Sequence, residues 1–239
     1  MKDLQELGQF GTILADPPWL FSNRTGKMAP EHKRLFRYST MTNEQILALP
    51  ISKLALPKSH LYLWVPNALV SIGLQVMEAW GFVYKTNLVW YKVRKDGGPD
   101  RRGVGFYFRN VTELVLFGVR GGLRTLAPGR RMPNVIVSQK REHSRKPEDL
   151  YTIIEQCSPG PYLELFARRT RPGWVSWGNE VDEAQQIELL EATPYMTRRT
   201  NDLQLTLCEI PSMAKPHEDA LASGLPTAPG TGYDQAPRP

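Results

Sequence analysis

The stretch ILADPPWLF, residues 13–21, ends a short apolar run on an acid, two prolines and a tryptophan, with no glycine to relax the turn. Residues 10–15, FGTILA, read as a buried strand because they are short, uniformly apolar and cut off by the proline pair. In an open α/β sheet, ligands bind beyond the carboxyl ends of the strands, and Asp16 falls at that place. The prolines hold Asp16 and Pro17 extended and remove two N–H donors. What remains is a carboxylate and carbonyl oxygens beside the flat indole of Trp19, a stiff acceptor clamp. A planar ring bearing two N–H donors suits it, and the exocyclic amine of adenine is such a group. The bland alternatives are a proline turn or a polyproline ligand, but neither calls for a buried strand and an acid directly upstream.

Outward from this segment, the chain alternates strands and helices. Thr42 opens a helix through TNEQILAL, with Gln45 placed for a capping box. HLYLWV, 60–65, reads as a central strand, and Asn67 is expected to cap the helix ALVSIGLQVMEAW, which Gly81 ends. FVYKTNLVWYKV and TELVLFGV read as strands around the basic, Gly-rich RKDGGPDRRGVG, and NVIV as a further short strand. Pro147 opens the helix PEDLYTIIEQC, and YLELFA and WVSWG follow as the last strands. The pattern predicts one α/β domain over residues 1–183 with a mixed, mostly parallel sheet. Residues 184–239 are expected to add one short helix, EAQQIELLEA, and then a Pro- and Gly-rich tail that cannot bury enough to order itself.

The charge is polarised. Residues 85–146 hold 15 Lys and Arg against four acids, a net +11, which leaves −5 for the remainder of a +6 chain. Such a balance points to a polyanion. There is no apolar run long enough to span a membrane and no apolar leader at the N-terminus. Cys157 and Cys208 lie far apart, and the four histidines are scattered. A cytoplasmic protein without a metal is the expectation.

The segments ADPPW, YSTMTNEQILALP, LYLWVPN, VYKTNLVWYK, NVTELVLFGVRG, HSRKPEDLYTIIEQCSPG, LELFARR and WVSWGNE occur in order from about Leu4 to Asp182. Together they resemble the adenine N6-methyltransferases that include the catalytic subunit of the eukaryotic mRNA adenosine methyltransferase. The resemblance implies a Rossmann-like methyltransferase fold that uses S-adenosyl-L-methionine, with the catalytic segment ahead of the main cofactor-binding elements. In keeping with this, no G-x-G-x-x-G follows a strand. By the same resemblance Asp16, Pro17, Pro18 and Trp19 form the catalytic clamp, and Asp16 also lies near the cofactor's amino group. Lys146 would pair with the methionine carboxylate, and Arg168, Asn179 and Glu180 would bind ribose and adenosine. Arg169 and Thr170 lie in a loop shorter than the family's and are placed with this cofactor-binding set. Tyr38 matches an aromatic in the segment that gates the target base.

Two features depart from the family. The chain starts so near Asp16 that an upstream segment supplying adenine contacts is expected to be missing. The loop from Leu20 to Tyr38 is longer and carries Arg24, Lys27, Lys33, Arg34 and Arg37, which with Arg101, Arg102, Lys140, Arg141 and Arg145 are expected to meet a nucleic-acid backbone. The sequence therefore reads as a compact bacterial or phage-type adenine N6-methyltransferase acting on DNA that is single-stranded or has its adenine flipped out. RNA is the alternative substrate, a non-catalytic nucleic-acid-binding subunit is the rival from another class, and a small-molecule methyltransferase ranks third. A homodimer or a heterodimer with a related chain is expected, through the strands and basic loop near 92–130.

Overall fold

The structure is a computed structural model and describes residues 4–20, 40–100, 107–127, 129–139 and 146–182, together with Gln185. Among the described residues, seven strands form one sheet: β1 (Phe10–Ala15), β2 (Ala55–Val65), β3 (Val83–Val93), β4 (Thr112–Arg120), β5 (Val135–Gln139), β6 (Tyr162–Leu165) and β7 (Trp174–Trp177). Their spatial order is β5-β3-β4-β2-β1-β6-β7. All neighbours pair in parallel except β4, which runs against both β2 and β3. The sheet is thus mixed and mostly parallel, as expected, and the carboxyl ends of six strands share an edge with the start of β4.

Among the described residues, four helices of more than a turn cover it: α1 (Asn43–Leu47), α2 (Ile51–Leu54), α3 (Val70–Ala79) and α4 (Asp149–Cys157). Side chains alternate across a pleated sheet, so each strand feeds two cores. Ile13, Ala15, Leu61, Leu63, Leu116 and Leu163 pack with Ile46, Ile51, Leu54, Val76 and Met77 on the α1–α3 side. Leu14, Tyr62, Trp64, Trp90, Phe117 and Ile136 pack with Leu150, Tyr151 and Ile154 of α4 on the other. This is a three-layer α/β architecture of the Rossmann-like type.

Local signals were mostly met. Thr42 and Gln45 complete both halves of the capping box at the head of α1. Gly81 takes φ +83 after α3, and the N–H of Phe82 reaches back to the carbonyl of Met77, which closes the helix end. Asn67 is not a cap, however. Residues 67–69 make a 3-10 turn before α3, and the Asn67 amide donates instead to the carbonyl and hydroxyl of Thr112 at the start of β4, each at 3.2 Å. That choice ties the end of β2 to the start of β4.

Two further expectations are revised. β3 and β4 lie inside the sheet, and the apolar side chains Val115, Phe117 and Val119 are buried within the domain. Of the apolar surface those strands were expected to offer a partner chain, the β4 part is buried, while Val83 and Tyr84 of β3 stay exposed. The free strand edge on that side belongs to β5, where Val135 and Val137 are exposed. YLELFA also stops short as a strand: after Leu165, Phe166 turns to φ +64, a left-handed angle costly for a non-glycine residue. The proposed boundary at 183, the helix 183–192 apart from Gln185, and the tail lie outside the described residues. Among the described residues no helix is long and apolar enough to cross a membrane.

Candidate active site

Asp16 follows directly from β1, an interior strand paired on both sides, where Ala15 stands level with Leu63 of β2 and Leu165 of β6. Its N–H donates to the Leu165 carbonyl at 3.4 Å, so the backbone at Asp16 still belongs to the sheet while its side chain, 34% exposed, has left it. The clamp downstream is fixed by short hydrogen bonds. The Trp19 N–H donates to the Pro17 carbonyl at 2.8 Å, and the Met41 N–H to the Pro18 carbonyl at 2.9 Å. The Pro17 oxygen is thereby aimed and keeps one lone pair for a ligand.

Trp19 corrects the sequence reading. Only 8% of it is exposed, its ring belongs to the core on the α1–α3 side, and its indole N–H donates to the Trp64 carbonyl at 3.0 Å. An indole so placed presents little face for a base to stack on. It anchors the proline pair to β2.

Lys146, in the segment before α4, brings its ammonium to 3.3 Å from Asp16 Oδ1 and 2.9 Å from Glu113 Oε2, with Nζ 4.5 Å from the centre of the Trp64 ring. Glu113 opens β4 and is also paired with Lys92 of β3, whose Nζ lies 4.8 Å from the Trp90 ring centre. The two indoles meet edge to face at 6.1 Å. Burial pushes Asp16 above the usual carboxylate range; Lys146 pulls it down and Glu113 pushes it up. Burial would raise Glu113 as well, but Lys146 and Lys92 together hold it at about 2. Burial disfavours the Lys146 cation, yet Asp16 and Glu113 raise it above its ordinary value. Glu113 and Lys146 therefore remain charged at neutral pH, while burial and Lys146 pull Asp16 in opposite directions.

The ends of β6 and β7 form the adjoining wall. Gly178 approaches so closely that a Cβ there would lie 2.0 Å from the Ala167 carbonyl oxygen, and the Ala167 N–H donates to the Trp177 carbonyl. Arg168 and Glu180 are brought to 4.0 Å on the exposed rim, and Asn179 is exposed beside them. Arg169 pairs with Glu148 at the head of α4, and Thr170 donates to Gln185 at 2.9 Å, so both are engaged by the chain's own side chains. Glu164 of β6 accepts from the Tyr151 hydroxyl at 2.8 Å, and burial, with Asp16 nearby, lifts it to about 7 despite the opposing Tyr151 bond and Arg171.

Sequence reasoning missed Glu113, Trp64, Lys92 and Glu164. A signal existed for Glu113: it is one of four acids in the basic stretch and opens an otherwise apolar strand. The other three are ordinary strand residues whose convergence depends on register. The residues expected to meet nucleic acid, Arg24, Lys27, Lys33, Arg34, Arg37, Tyr38, Arg101, Arg102, Lys140, Arg141 and Arg145, lie outside the described residues. In the segment leading into β4, Tyr107 and Phe108 are 96% and 85% exposed.

A mixed sheet with a single antiparallel strand, and a charged site at the carboxyl edge of β1, define a Rossmann-like methyltransferase domain. Its family is shown by comparison: residues 10–180 match the MT-A70 family, and the chain belongs to it. It is 31% identical to the human N(6)-adenosine-methyltransferase catalytic subunit METTL3 over 184 residues, 75% of this chain and 30% of that protein. It is 31% identical to the human N(6)-adenine-specific methyltransferase METTL4 over 191 residues, 75% of this chain and 39% of that protein. The Drosophila melanogaster N(6)-adenosine-methyltransferase MT-A70-like protein is 30% identical over 200 residues, 82% of this chain and 31% of that protein. The chain thus spans about a third of the length of these relatives. MT-A70 methyltransferases use S-adenosylmethionine as methyl donor.

The side chains suit that cofactor. Its amino-acid end is a zwitterion, and Asp16 and Lys146 set a carboxylate and an ammonium 3.3 Å apart. The exposed Glu180 carboxylate can accept from ribose hydroxyls.

Proposed function

We propose that this chain transfers a methyl group from S-adenosylmethionine to the exocyclic N6 amine of adenine in nucleic acid, with DNA the expected polymer and RNA the alternative. One observation carries the reading: Asp16, a third exposed at the carboxyl edge of β1, is followed by two prolines and stands 3.3 Å from the Lys146 ammonium. When bound, the cofactor supplies an electrophilic methyl on a sulfonium that departs as a neutral thioether.

The chain's own residues do the rest. The amine of adenine is a weak nucleophile because its lone pair is shared with the ring. Asp16 accepts one of its hydrogens, and the free lone pair of the Pro17 carbonyl accepts the other, which draws the nitrogen toward a tetrahedral form. Both acceptors are fixed before the base arrives, by Lys146 in one case and by the Trp19 N–H in the other, so little reorganisation accompanies reaction. As the N–C bond forms, the amine sheds a proton for which Asp16 is an acceptor. Lys146 would hold the methionine carboxylate with its remaining N–H, and Arg168, Asn179 and Glu180 the nucleoside end, with Arg169 and Thr170 bracing the same rim.

The target adenine must be single-stranded or flipped out to reach Asp16. The +11 stretch and the exposed Tyr107 and Phe108 favour a nucleic acid over a small molecule. A dimer, if formed, has an apolar edge available at Val135 and Val137 of β5.

The test is transfer from radiolabelled S-adenosylmethionine to matched single-stranded and duplex DNA and RNA, with the product nucleoside identified by mass spectrometry. Label in N6-methyladenine supports the reading and chooses the polymer. Cofactor binding without label in any polymer points to a non-catalytic subunit, and no cofactor binding overturns the enzyme altogether.

A further inference from the structure

Lys92 is a buried lysine, 8% exposed, that no part of the proposed chemistry uses. Lysine is almost never found so deep unless paired. Its partner is Glu113, and Glu113 faces Lys146, which faces Asp16. Four charges of alternating sign therefore stand in a row, from β3 through β4 and the segment before α4 to the end of β1. Trp90 and Trp64 wall the two ammonium groups and touch each other edge to face. The row is neutral as a whole, and only its Asp16 end opens toward the proposed substrate.

Removing either Lys92 or Glu113 unbalances the rest. Without Lys92, Glu113 would carry an unneutralised charge and draw Lys146 toward itself, away from Asp16. Without Glu113, Lys146 would belong wholly to Asp16, and Lys92 would be left uncompensated. The two losses push Asp16 in opposite directions.

We infer that Lys92 is a positioning residue: by neutralising Glu113 it leaves Lys146 free to hold Asp16 as an ionised acceptor. This rests on Asp16 having the role proposed above. The depressed Glu113 carboxyl, held at about 2 by Lys146 and Lys92 against its burial, accords with a neutralised link in the row. The other charged groups acting on Asp16 are Arg168 beyond β6 and Glu164 within it.

The test reads Asp16 directly, without cofactor or nucleic acid. The chain is labelled with 13Cγ-aspartate, the Asp16 signal is assigned with Asp16→Asn, and its titration midpoint is followed by NMR. Lys92→Met is expected to move the midpoint up by about half a pH unit or more and Glu113→Gln to move it down by a similar amount. The double variant, which keeps the row neutral, should return close to the native midpoint, and Lys92→Arg should leave it unmoved. Shifts of the same sign in the two single variants, or none in either with native circular dichroism, would overturn the inference. If Lys92→Met alone does not fold, Glu113→Gln against the double variant still decides: the double must lie above the single. A chain that shows these shifts but methylates nothing refutes the proposed function and not the row, whereas an active chain without them refutes the row alone.

Discussion

The Lys146 ammonium stands 3.3 Å from the Asp16 carboxylate, although Asp16 follows the first strand and Lys146 precedes the last helix of the described fold. Strand order explains the meeting. β1 and β2 are neighbours and β4 lies next to β2, so the end of β1, the end of β2 and the start of β4 crowd one edge, and the segment entering α4 crosses it. A carboxylate and an ammonium so placed act as one unit, and removing either changes the other.

Asp16→Asn keeps the shape of the clamp but replaces a charged acceptor with an amide. We expect methyl transfer to fall by roughly a hundredfold to a thousandfold, the scale of losing one preorganised electrostatic group. Binding of single-stranded oligonucleotide should change little, since phosphates carry most of that affinity. Single-turnover rates and fluorescence anisotropy separate the two effects, and undiminished turnover would sink the mechanism.

Lys146→Ala should weaken S-adenosylmethionine binding by about tenfold or more, because a charge-assisted hydrogen bond to its carboxylate is lost. It also strips Asp16 of its counterion, so the acid limb of the pH–rate profile should move to higher pH. Titration calorimetry tests the first effect and the profile of kcat the second. Unchanged affinity would remove Lys146 from the cofactor site.

Much of this was readable in advance, and the failures share a cause. The strand before Asp16, the capping box at Thr42 and the stop at Gly81 depend on a few adjacent residues, which the sequence displays. Trp19 was misread because the same indole can be a plate or an anchor, and only the position of the Trp64 carbonyl decides. Asn67 looked like a cap, but β4 offered it two acceptors from a strand 45 residues away. Glu113, Lys92 and Trp64 converge through register between three strands, the middle one antiparallel to the other two, and local pattern holds no record of that pairing.

Tyr107 and Phe108 are exposed in the segment leading into β4, and exposed aromatics beside cationic chain suit stacking with unpaired bases. Replacing both with Ala should raise the KM for single-stranded substrate by roughly tenfold and leave kcat within about twofold, since base stacking contributes on the order of 1–3 kcal/mol per base. An unchanged KM accompanied by a shift in sedimentation coefficient would assign the pair to a protein contact instead.

Trp19→Phe keeps an aromatic ring in the core but leaves the Trp64 carbonyl without its indole donor. We expect a loss of about 1–3 kcal/mol, the cost of an unsatisfied buried acceptor plus a small packing defect, read as a lower midpoint in urea at unchanged slope. Trp19→Ala should cost more, about 3–5 kcal/mol. A stable Trp19→Ala variant would show that the ring does not anchor the clamp.

Glu164 gives a stability test with a defined sign. Its carboxyl is lifted to about 7 in the fold by burial, whereas in an unfolded chain it titrates near the ordinary glutamate value of about 4.3. The folded state therefore holds the proton more tightly, and Glu164 costs nothing below about pH 4. As pH rises toward 7 the unfolded chain releases that proton first, and stability declines; above 7 both states are ionised and the loss is complete. Glu164→Gln retains an acceptor for the Tyr151 hydroxyl and carries no charge at any pH. The variant should be more stable than the native chain at pH 8, by about 1–3 kcal/mol, and the advantage should vanish near pH 4. Thermal melts across that range decide it: a difference that does not grow between pH 4 and pH 7 would mean that Glu164 is ionised in the fold at neutral pH after all.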